Sequence, residues 1–321
     1  MGMKPLVYVT RKLPDEALGS LKDIADVNMW EKEDAPVPRD VLLAEAKRAT
    51  ALLTMLTERV DKELMDACKQ LKIIANMAVG YDNIDVEYAR KQQIVVTNTP
   101  DVLTDTTADL TFALLMAAAR RLIEASEYIK RDAWTTWSPF QLAGSDIHHK
   151  TLGIVGMGRI GEAVAKRAKG FDMKILYHNR NRKPAAEEKF GAMYCSFDEL
   201  LMKSDFVVCL APLTEETKHL FNEDAFRKMK KTAVFINASR GALVDEDALH
   251  RALTNGEILS AGLDVFENEP IRSDHPLVRL PNVVALPHIG SATKETRMKM
   301  AALAVQNIVS YLENGKGVTP V

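Results

Sequence analysis

The stretch Leu152-Gly153-Ile154-Val155-Gly156-Met157-Gly158-Arg159-Ile160-Gly161 decides the fold of this chain. It joins an apolar strand to a glycine fingerprint, Gly-x-Gly-x-x-Gly, and a helix is predicted over Ile160–Lys169. A second apolar strand, Lys174–His178, completes a strand–helix–strand unit. In such a unit the first glycine makes a tight turn, the second lets backbone approach a pyrophosphate, and the third lets the helix pack against the strand. The helix N-terminus adds N–H groups and a positive dipole end, so Gly156, Gly158 and Gly161 predict a dinucleotide site.

Apolar runs alternate with amphipathic stretches through both halves of the chain, which predicts parallel sheets covered by helices on both faces. The strands predicted in the first half are Leu6–Val9, Val27–Trp30, Ala51–Met55, Lys72–Asn76 and Ile94–Thr97. The helices predicted between them are Pro14–Ile24, Arg39–Lys47, Lys62–Lys69 and Val86–Lys91. The strands predicted in the second half are Leu152–Gly156, Lys174–His178, Phe206–Leu210, Ala233–Ala238, Leu259–Asp264 and Val283–Leu286.

A length of 321 residues suits two domains. The alternation stops at Asn98-Thr99-Pro100, because a proline disfavours helix in the residue before it. Beyond it, Asp105 is predicted to cap one long helix to about Lys130, whose apolar middle indicates burial on several sides. The last helix, Ala292–Tyr311, follows the second sheet and could return to the first domain. We therefore predict a substrate-binding domain over 1–99 and 290–321, and a dinucleotide-binding domain over 100–289.

The residues after the strand Lys174–His178 bear on the choice of dinucleotide. NAD sites place an acid about 20 residues past the glycines, on the ribose 2′-hydroxyl. Here that position is Asn179, and the basic side chains of Arg180, Arg182 and Lys183 follow it. Because arginine offers a 2′-phosphate a bidentate, charge-assisted pair, the turn predicts that NADP(H) is preferred, with NAD(H) still usable.

Three residues near strand ends fit the reduction of a 2-oxo acid, which needs a cation for the carboxylate, an acid for the carbonyl oxygen and a group that tunes the acid. Arg240 follows a predicted strand, where ligands bind in parallel sheets, and its guanidinium can hold a carboxylate. His288 follows another strand, and imidazolium is a natural proton donor near neutral pH. Glu269, if adjacent, would raise the pKa of that imidazole and orient it. Whether the two meet cannot be read from the sequence.

Composition excludes several other classes of protein. The 42 basic and 44 acidic residues nearly cancel, without a basic stripe for nucleic acid. No apolar run reaches membrane-spanning length, and Met1–Thr10 lacks the apolar core of a signal peptide. The three cysteines form no CxxC pair, which is typical of a reducing compartment, so we expect a cytoplasmic protein. No cluster of His, Cys, Asp and Glu predicts a metal site.

Taken together, the motifs resemble those of the D-isomer-specific 2-hydroxyacid dehydrogenase family over essentially the full length. They are Ala78-Val79-Gly80-Tyr81-Asp82-Asn83-Ile84-Asp85, Asn98-Thr99-Pro100, the glycine fingerprint, Asn237-Ala238-Ser239-Arg240-Gly241, Gly262-Leu263-Asp264-Val265 and Pro287-His288-Ile289-Gly290-Ser291. Within the family, the chain is similar to the reductases of glyoxylate and hydroxypyruvate in Asn98–Asp109, in Trp134-Thr135-Thr136-Trp137 and in the arginine-bearing turn. The resemblance implies two Rossmann-like domains, a flavodoxin-like substrate domain and a doubly wound NAD(P)-binding domain, with a cleft between them.

The resemblance also implies roles for individual residues. Arg240 would bind the substrate carboxylate together with the backbone of Val79 and Gly80, Glu269 would tune His288, and His288 would donate the proton. The implied contacts with the pyrophosphate are Gly158, Arg159 and Ile160, and those with the adenosine end are Pro212 and Thr217. At the nicotinamide end they are Ala238 and Gly290, with Asp264 at the nicotinamide carboxamide or beside the substrate. Thr107 would contact the cofactor from the long helix, and Arg180 and Arg182 would bind the 2′-phosphate. The family forms dimers, so a homodimer is expected, with Trp137 reaching the partner's active site or packing at the dimer contact.

The sequence thus predicts an NADPH-preferring enzyme that reduces small 2-oxo acids, glyoxylate and hydroxypyruvate first, to glycolate and D-glycerate. A 2-ketogluconate reductase would use the same chemistry on a longer substrate, and pocket size around Met55, Leu56 and Trp137 would decide between them. A phosphoglycerate dehydrogenase would need a further cation for the substrate phosphate. A cofactor-sensing interaction protein is an alternative of another class, since some transcriptional corepressors keep a dehydrogenase fold.

Overall fold

The computed structural model describes residues 4–321 and divides them into two compact units. One unit comprises the residues up to Leu103 together with Ala292–Val321, and the other comprises Thr104–Ser291. The sequence prediction sets the corresponding boundaries at 99/100 and 289/290.

The first unit contains a parallel five-stranded sheet in the order β2-β1-β3-β4-β5. Its strands are β1 (Leu6–Val9), β2 (Asp26–Met29), β3 (Ala51–Thr54), β4 (Ile73–Asn76) and β5 (Val95–Thr97). Its helices are α1 (Asp15–Ile24), α2 (Arg39–Ala46), α3 (Lys62–Ala67), α4 (Val86–Lys91) and α12 (Lys294–Asn314). The inner strands β3 and β4 are buried at every residue, as expected when helices cover both faces. The strand order is that of the flavodoxin-like fold, which confirms the predicted fold class of this unit.

The second unit contains a parallel seven-stranded sheet in the order β12-β11-β10-β9-β6-β7-β8. Its strands are β6 (Thr151–Val155), β7 (Lys174–His178), β8 (Met193–Tyr194), β9 (Phe206–Cys209), β10 (Val234–Asn237), β11 (Ser260–Leu263) and β12 (Val283–Ala285). Its helices are α5 (Thr104–Ala119), α6 (Leu122–Lys130), α7 (Arg159–Ala168), α8 (Pro184–Phe190), α9 (Phe197–Lys203), α10 (Glu223–Lys228) and α11 (Glu246–Thr254). The chain leaves β6 toward β7 on one side and reaches β9 on the other, so the order reverses between β6 and β9. Ligands of doubly wound sheets bind outside the strand ends at such a switch point.

Two apolar layers pack against the second sheet. One layer includes the fully buried rings of Phe221, Phe226 and Phe235. The other includes Leu115 of α5 and the buried ring of Tyr177 in β7. With both faces covered, the strand ends at the sheet edge remain as the place for polar chemistry.

One helix predicted from the sequence is two helices in the structure. The prediction of a single helix to about Lys130 is wrong, because α5 ends at Ala119 and Arg121 adopts a left-handed φ of 55° before α6 begins. The returning loop supplies the physical reason, since the Ser145 N–H donates to the Ala119 carbonyl at 2.9 Å. The predicted cap is also wrong, because Asp105 lies inside the first turn of α5. The short edge strand β8 is an addition to the predicted set.

None of the helices in the described part of the chain has the length and apolar character needed to span a membrane.

Gly241 offers a sharp test of the packing beside the strand ends. A Cβ at this position would lie 1.8 Å from the backbone carbon of Phe266, and 2.1 Å from the Glu267 nitrogen. We therefore expect Gly241→Ala to lower the free energy of unfolding by about 1–3 kcal/mol or more. The control is Gly19, which is exposed in α1 and where an added Cβ would meet no atom within 4 Å. Gly19→Ala should instead raise stability by about 0.5–1 kcal/mol. Equal denaturation midpoints for Gly241→Ala and the wild type would contradict this packing.

Candidate active site

The polar residues singled out in the second unit collect at one edge of its sheet. Because all of the strands are parallel, the segments that follow β6, β7, β9, β10, β11 and β12 emerge on the same side. Gly156 follows β6, Arg240 follows β10, Asp264 follows β11 and His288 follows β12. The carboxyl edge of one sheet thus gathers the glycine loop and the predicted reaction chemistry.

The glycine loop has the geometry that a dinucleotide requires. Gly156 has a φ of 102°, and a Cβ there would lie 2.5 Å from the Ala211 nitrogen. A Cβ at Gly161 would lie 2.4 Å from the Gly156 oxygen, so the loop and α7 can approach only with glycine at both positions. Gly158, by contrast, faces open space. A phosphate can therefore approach the loop from the side of Gly158.

The N-terminus of α7 also fits an anion. Gly158 is the N-cap residue, and no side chain caps the helix. Within residues 4–321 we find no acceptor for the N–H groups of Gly158 and Ile160. These amides, with the positive end of the helix dipole, are suited to the pyrophosphate of a nicotinamide dinucleotide.

Asn179 ties the end of β7 to the glycine loop. Its Oδ1 accepts a hydrogen bond from the Met157 N–H at 2.6 Å. The adjacent Gly156 N–H donates to the His178 carbonyl at 3.0 Å. The position where NAD enzymes carry an acid is therefore occupied by a neutral amide that stabilises the loop.

The two arginines of the basic turn differ in their surroundings. Arg182 forms a two-point ion pair with Glu187 of α8, through Nε–Oε1 and Nη2–Oε2 contacts of 2.7 Å each. Arg180 is exposed, and its side chain contacts no hydrogen-bond or ion-pair partner in the described residues. The Lys183 N–H donates to the Tyr177 hydroxyl at 2.7 Å, which closes the turn. The sequence predicts that Arg180 and Arg182 both bind the 2′-phosphate, but within the described residues Arg182 forms an ion pair and Arg180 does not.

At the opposite end of the same sheet edge, His288 meets Glu269. Their Nδ1 and Oε2 atoms are 2.8 Å apart, so the structure brings together two residues whose contact the sequence could not show. Burial opposes ionisation of Glu269, but the hydrogen bond and charge of His288, the Phe266 N–H and the charge of Arg240 outweigh it and lower the carboxyl pKa. Because an ionised carboxylate only accepts, Nδ1 carries the hydrogen and Nε2 is left for a ligand.

Asp264 fixes the turn that carries His288. Its Oδ1 accepts from the Ile289 N–H at 2.8 Å, while His288 itself has a left-handed φ of 53°. Burial of the side chain raises the pKa of the Asp264 carboxyl, although the Ile289 N–H and the charge of His288 oppose that shift. A Cβ at Gly290 would lie 3.1 Å from Asp264 Oδ2 and 3.4 Å from Thr107 Cγ2. Gly290 and Thr107, both predicted cofactor contacts, therefore lie together beside this carboxylate.

The turn around Arg240 is held by its neighbours. The Asn237 side chain donates to the Arg240 carbonyl at 2.9 Å, and Arg240 Nη1 donates to the Ser239 carbonyl at 2.9 Å. Ser239 Oγ donates to the Ala211 carbonyl at 2.5 Å, which links this turn to the segment after β9. The guanidinium thus lies on a braced turn, with its charge near Glu269.

The remaining predicted contacts fall in three places. Thr217 Oγ1 donates to the Pro212 carbonyl at 2.7 Å, so the two residues assigned to the adenosine end touch each other. Ala238 is buried beside Arg240. Trp137 lies in a loop of the second unit with 75% of its surface exposed.

Val79 and Gly80 belong to the first unit and follow β4. Their carbonyls accept from Asn98 Nδ2 and Asn76 Nδ2, both at 2.9 Å. Their own N–H groups have no acceptor in residues 4–321. Two successive unpaired amides of this kind are suited to bind an anion.

Glu187 and Tyr177 organise the basic turn, and neither was among the site residues predicted from the sequence. Tyr177 donates to Glu187 Oε1 at 2.6 Å. An acid in the first turn of a helix that directly follows a basic turn is the signal that could have found Glu187. Within residues 4–321, no group of three His, Cys, Asp or Glu side chains could hold a metal ion.

Comparison with known proteins places this site in a family. Residues 112–290 match the model of the D-isomer specific 2-hydroxyacid dehydrogenase NAD binding domain. A glyoxylate reductase from Thermococcus litoralis is 50% identical over 322 residues, covering 99% of this chain and 96% of the relative.

Solved structures agree with these sequence relatives. A protein from Thermus thermophilus has a TM-score of 0.92 and 45% identity, covering 98% of this chain and 99% of its own. An NADPH-dependent glyoxylate/hydroxypyruvate reductase from Sinorhizobium meliloti, solved with NADP and malonate, has a TM-score of 0.84 and 35% identity, covering 99% of this chain and 97% of its own.

The predicted family and fold are confirmed, and the matched region is the one that contains the glycine loop, Arg240, Glu269 and His288. The chain belongs to the D-isomer-specific 2-hydroxyacid dehydrogenase family and is an NAD(P)-dependent oxidoreductase.

Proposed function

We propose that this chain is an NADPH-preferring reductase of glyoxylate and hydroxypyruvate, with glycolate and D-glycerate as products. The observation that carries the proposal is the 2.8 Å pair of His288 and Glu269, on the same sheet edge as Arg240 and the glycine loop. The names of relatives support the substrate class, since proteins at 48–50% identity are named glyoxylate reductase.

Arg240 anchors the substrate. Its guanidinium has the geometry to hold a carboxylate by two hydrogen bonds, and its charge polarises the neighbouring carbonyl. Fixing the carboxylate places C2 of a 2-oxo acid in one orientation, which lowers the entropic part of the barrier.

His288 supplies the proton. A bound nicotinamide dinucleotide would supply the hydride that C2 of the substrate receives. As the carbonyl oxygen gains negative charge, the imidazolium of His288 donates its Nε2 proton to that oxygen and becomes neutral. Glu269 holds the Nδ1–H side of the ring and stabilises the imidazolium before transfer. Asp264 keeps the turn in place through Ile289.

Cofactor preference rests on the turn after β7. Asn179 places no negative charge beside a ribose 2′-phosphate, and the exposed guanidinium of Arg180 is available to bind it. Lys183 adds positive charge to the same turn. The Sinorhizobium meliloti relative, solved with NADP, supports the same preference.

A homodimer remains part of the proposal. Large apolar side chains are exposed along one segment of the second unit, namely Leu122, Ile123, Ile129, Trp134, Trp137 and Phe140. Exposed apolar patches of this kind mark protein contacts, and a second copy of the chain is the partner we propose.

A substrate panel tests the proposed function. Purified protein should oxidise NADPH with glyoxylate and hydroxypyruvate, and kcat/KM with NADPH should exceed that with NADH by about tenfold or more. The panel includes 2-ketogluconate and a phosphorylated 2-oxo acid. Better use of NADH would contradict the cofactor proposal, and a clear preference for 2-ketogluconate would contradict the substrate proposal.

Glu269→Gln tests the role of the carboxylate. The lowered pKa of Glu269 keeps it charged throughout the neutral range, so the variant removes a full charge beside the imidazolium. We expect kcat/KM to fall on the order of tenfold or more, because a neutral amide no longer stabilises by charge the imidazolium that donates the proton.

The matched control is Glu267→Gln, two residues away. Glu267 pairs with His219 at 3.2 Å, so this variant also breaks a histidine–carboxylate pair on the same loop. Its kcat/KM should match that of the wild type. A kcat/KM for Glu269→Gln equal to that of the wild type would show that Glu269 does not act through His288.

A further inference from the structure

We propose that Glu187 is a cofactor-specificity residue that limits the preference for NADPH by holding Arg182 in an ion pair, so that recognition of the 2′-phosphate depends on Arg180. This inference rests on the proposed function, since it concerns how strongly the same site distinguishes the two dinucleotides. It assigns a restraining role to an acidic side chain in the helix that follows the basic turn.

The Arg182–Glu187 contact uses the full bidentate geometry of both groups. Two parallel N–H···O hydrogen bonds of 2.7 Å join Nε to Oε1 and Nη2 to Oε2. Paired, charge-assisted bonds of this kind are stronger and more directional than single contacts. The Nε–Nη2 edge of the guanidinium is therefore already occupied by a carboxylate.

Tyr177 anchors this carboxylate from the protein interior. Its fully buried ring carries a hydroxyl that donates to Glu187 Oε1 at 2.6 Å and accepts from the Lys183 N–H at 2.7 Å. The hydrogen bonds from Arg182 and then Tyr177 lower the pKa of Glu187 to about 2. Glu187 is thus a fixed negative charge, and it holds the Arg182 guanidinium.

Arg180 lies in the opposite situation. It directly follows Asn179, whose side chain touches the glycine loop at Met157, so it starts from the edge of the dinucleotide site. Its exposed side chain has no partner within residues 4–321. Binding a phosphate costs Arg180 no existing ion pair, whereas Arg182 could offer its Nε–Nη2 edge only by leaving two charge-assisted bonds.

Glu187 opposes recognition of the 2′-phosphate because it holds the Arg182 guanidinium in a two-point ion pair. Glu187→Gln separates this effect from folding. The amide keeps the size of the side chain and an oxygen for the Tyr177 hydroxyl, but it removes the charge and one acceptor of the two-point pair. The guanidinium is then released toward the turn.

Calorimetry of the full chain gives a readout that does not depend on turnover. The dissociation constants of NADPH, NADH, 2′,5′-ADP and ADP are measured for the wild type and for E187Q, R182A, R180A and the double variant E187Q/R182A. We expect E187Q to tighten NADPH and 2′,5′-ADP by roughly three- to tenfold and to leave NADH and ADP within about twofold.

The other variants identify the cause. R180A should weaken NADPH and 2′,5′-ADP on the order of tenfold, while R182A should change them by less than about twofold. In E187Q/R182A the gain should disappear, because the released guanidinium is missing. Unchanged affinities for NADH and ADP, and unchanged melting temperatures, show that the variants keep their fold.

Three outcomes would overturn the inference. They are no gain in E187Q, a loss in R182A as large as that in R180A, or a gain that persists in E187Q/R182A. A wild type that binds NADH better than NADPH would contradict the proposed cofactor preference instead, and the effect of E187Q on 2′,5′-ADP against ADP would still decide the role of Glu187.

Discussion

The hydrogen bond between His288 Nδ1 and Glu269 Oε2, 2.8 Å long, is the interaction on which the active site depends. It joins loops that follow two neighbouring strands, and each partner is fixed from behind. Glu269 accepts a second bond from the Phe266 N–H at 2.9 Å. His288 lies in a turn held by the buried carboxylate of Asp264. The ring therefore presents Nδ1 to the carboxylate, and Nε2 is left for a ligand.

The parallel sheet makes this arrangement possible. Because its strands are covered on both faces, their backbone and apolar side chains are buried in the core. Only the segments past the strand ends remain for polar residues, and in a parallel sheet these segments share one edge. The glycine loop after β6 and the turn of His288 after β12 thus lie on one edge because of this topology, and Arg240 after β10 lies between them in the strand order.

Much of this arrangement could be predicted from local sequence. The glycine fingerprint, the alternating strands and the strand-end positions of Arg240 and His288 all follow from short patterns, because steric and hydrogen-bonding rules act locally. Long-range contacts could not be predicted in the same way. The end of α5 at Ala119 depends on an N–H from Ser145 in a distant loop. The pairing of Arg182 with Glu187 depends on the direction in which α8 continues from the turn. The number of basic residues in the turn does not predict that direction.

We propose that hydride reaches C2 of a 2-oxo acid on one fixed face of the substrate while His288 protonates the carbonyl oxygen. Reduction of hydroxypyruvate by the wild-type protein, with NADPH deuterated at the reactive position of the nicotinamide C4, tests the transfer most directly. We expect D-glycerate that carries deuterium at C2. Product that is unlabelled at C2, or labelled L-glycerate, would contradict it.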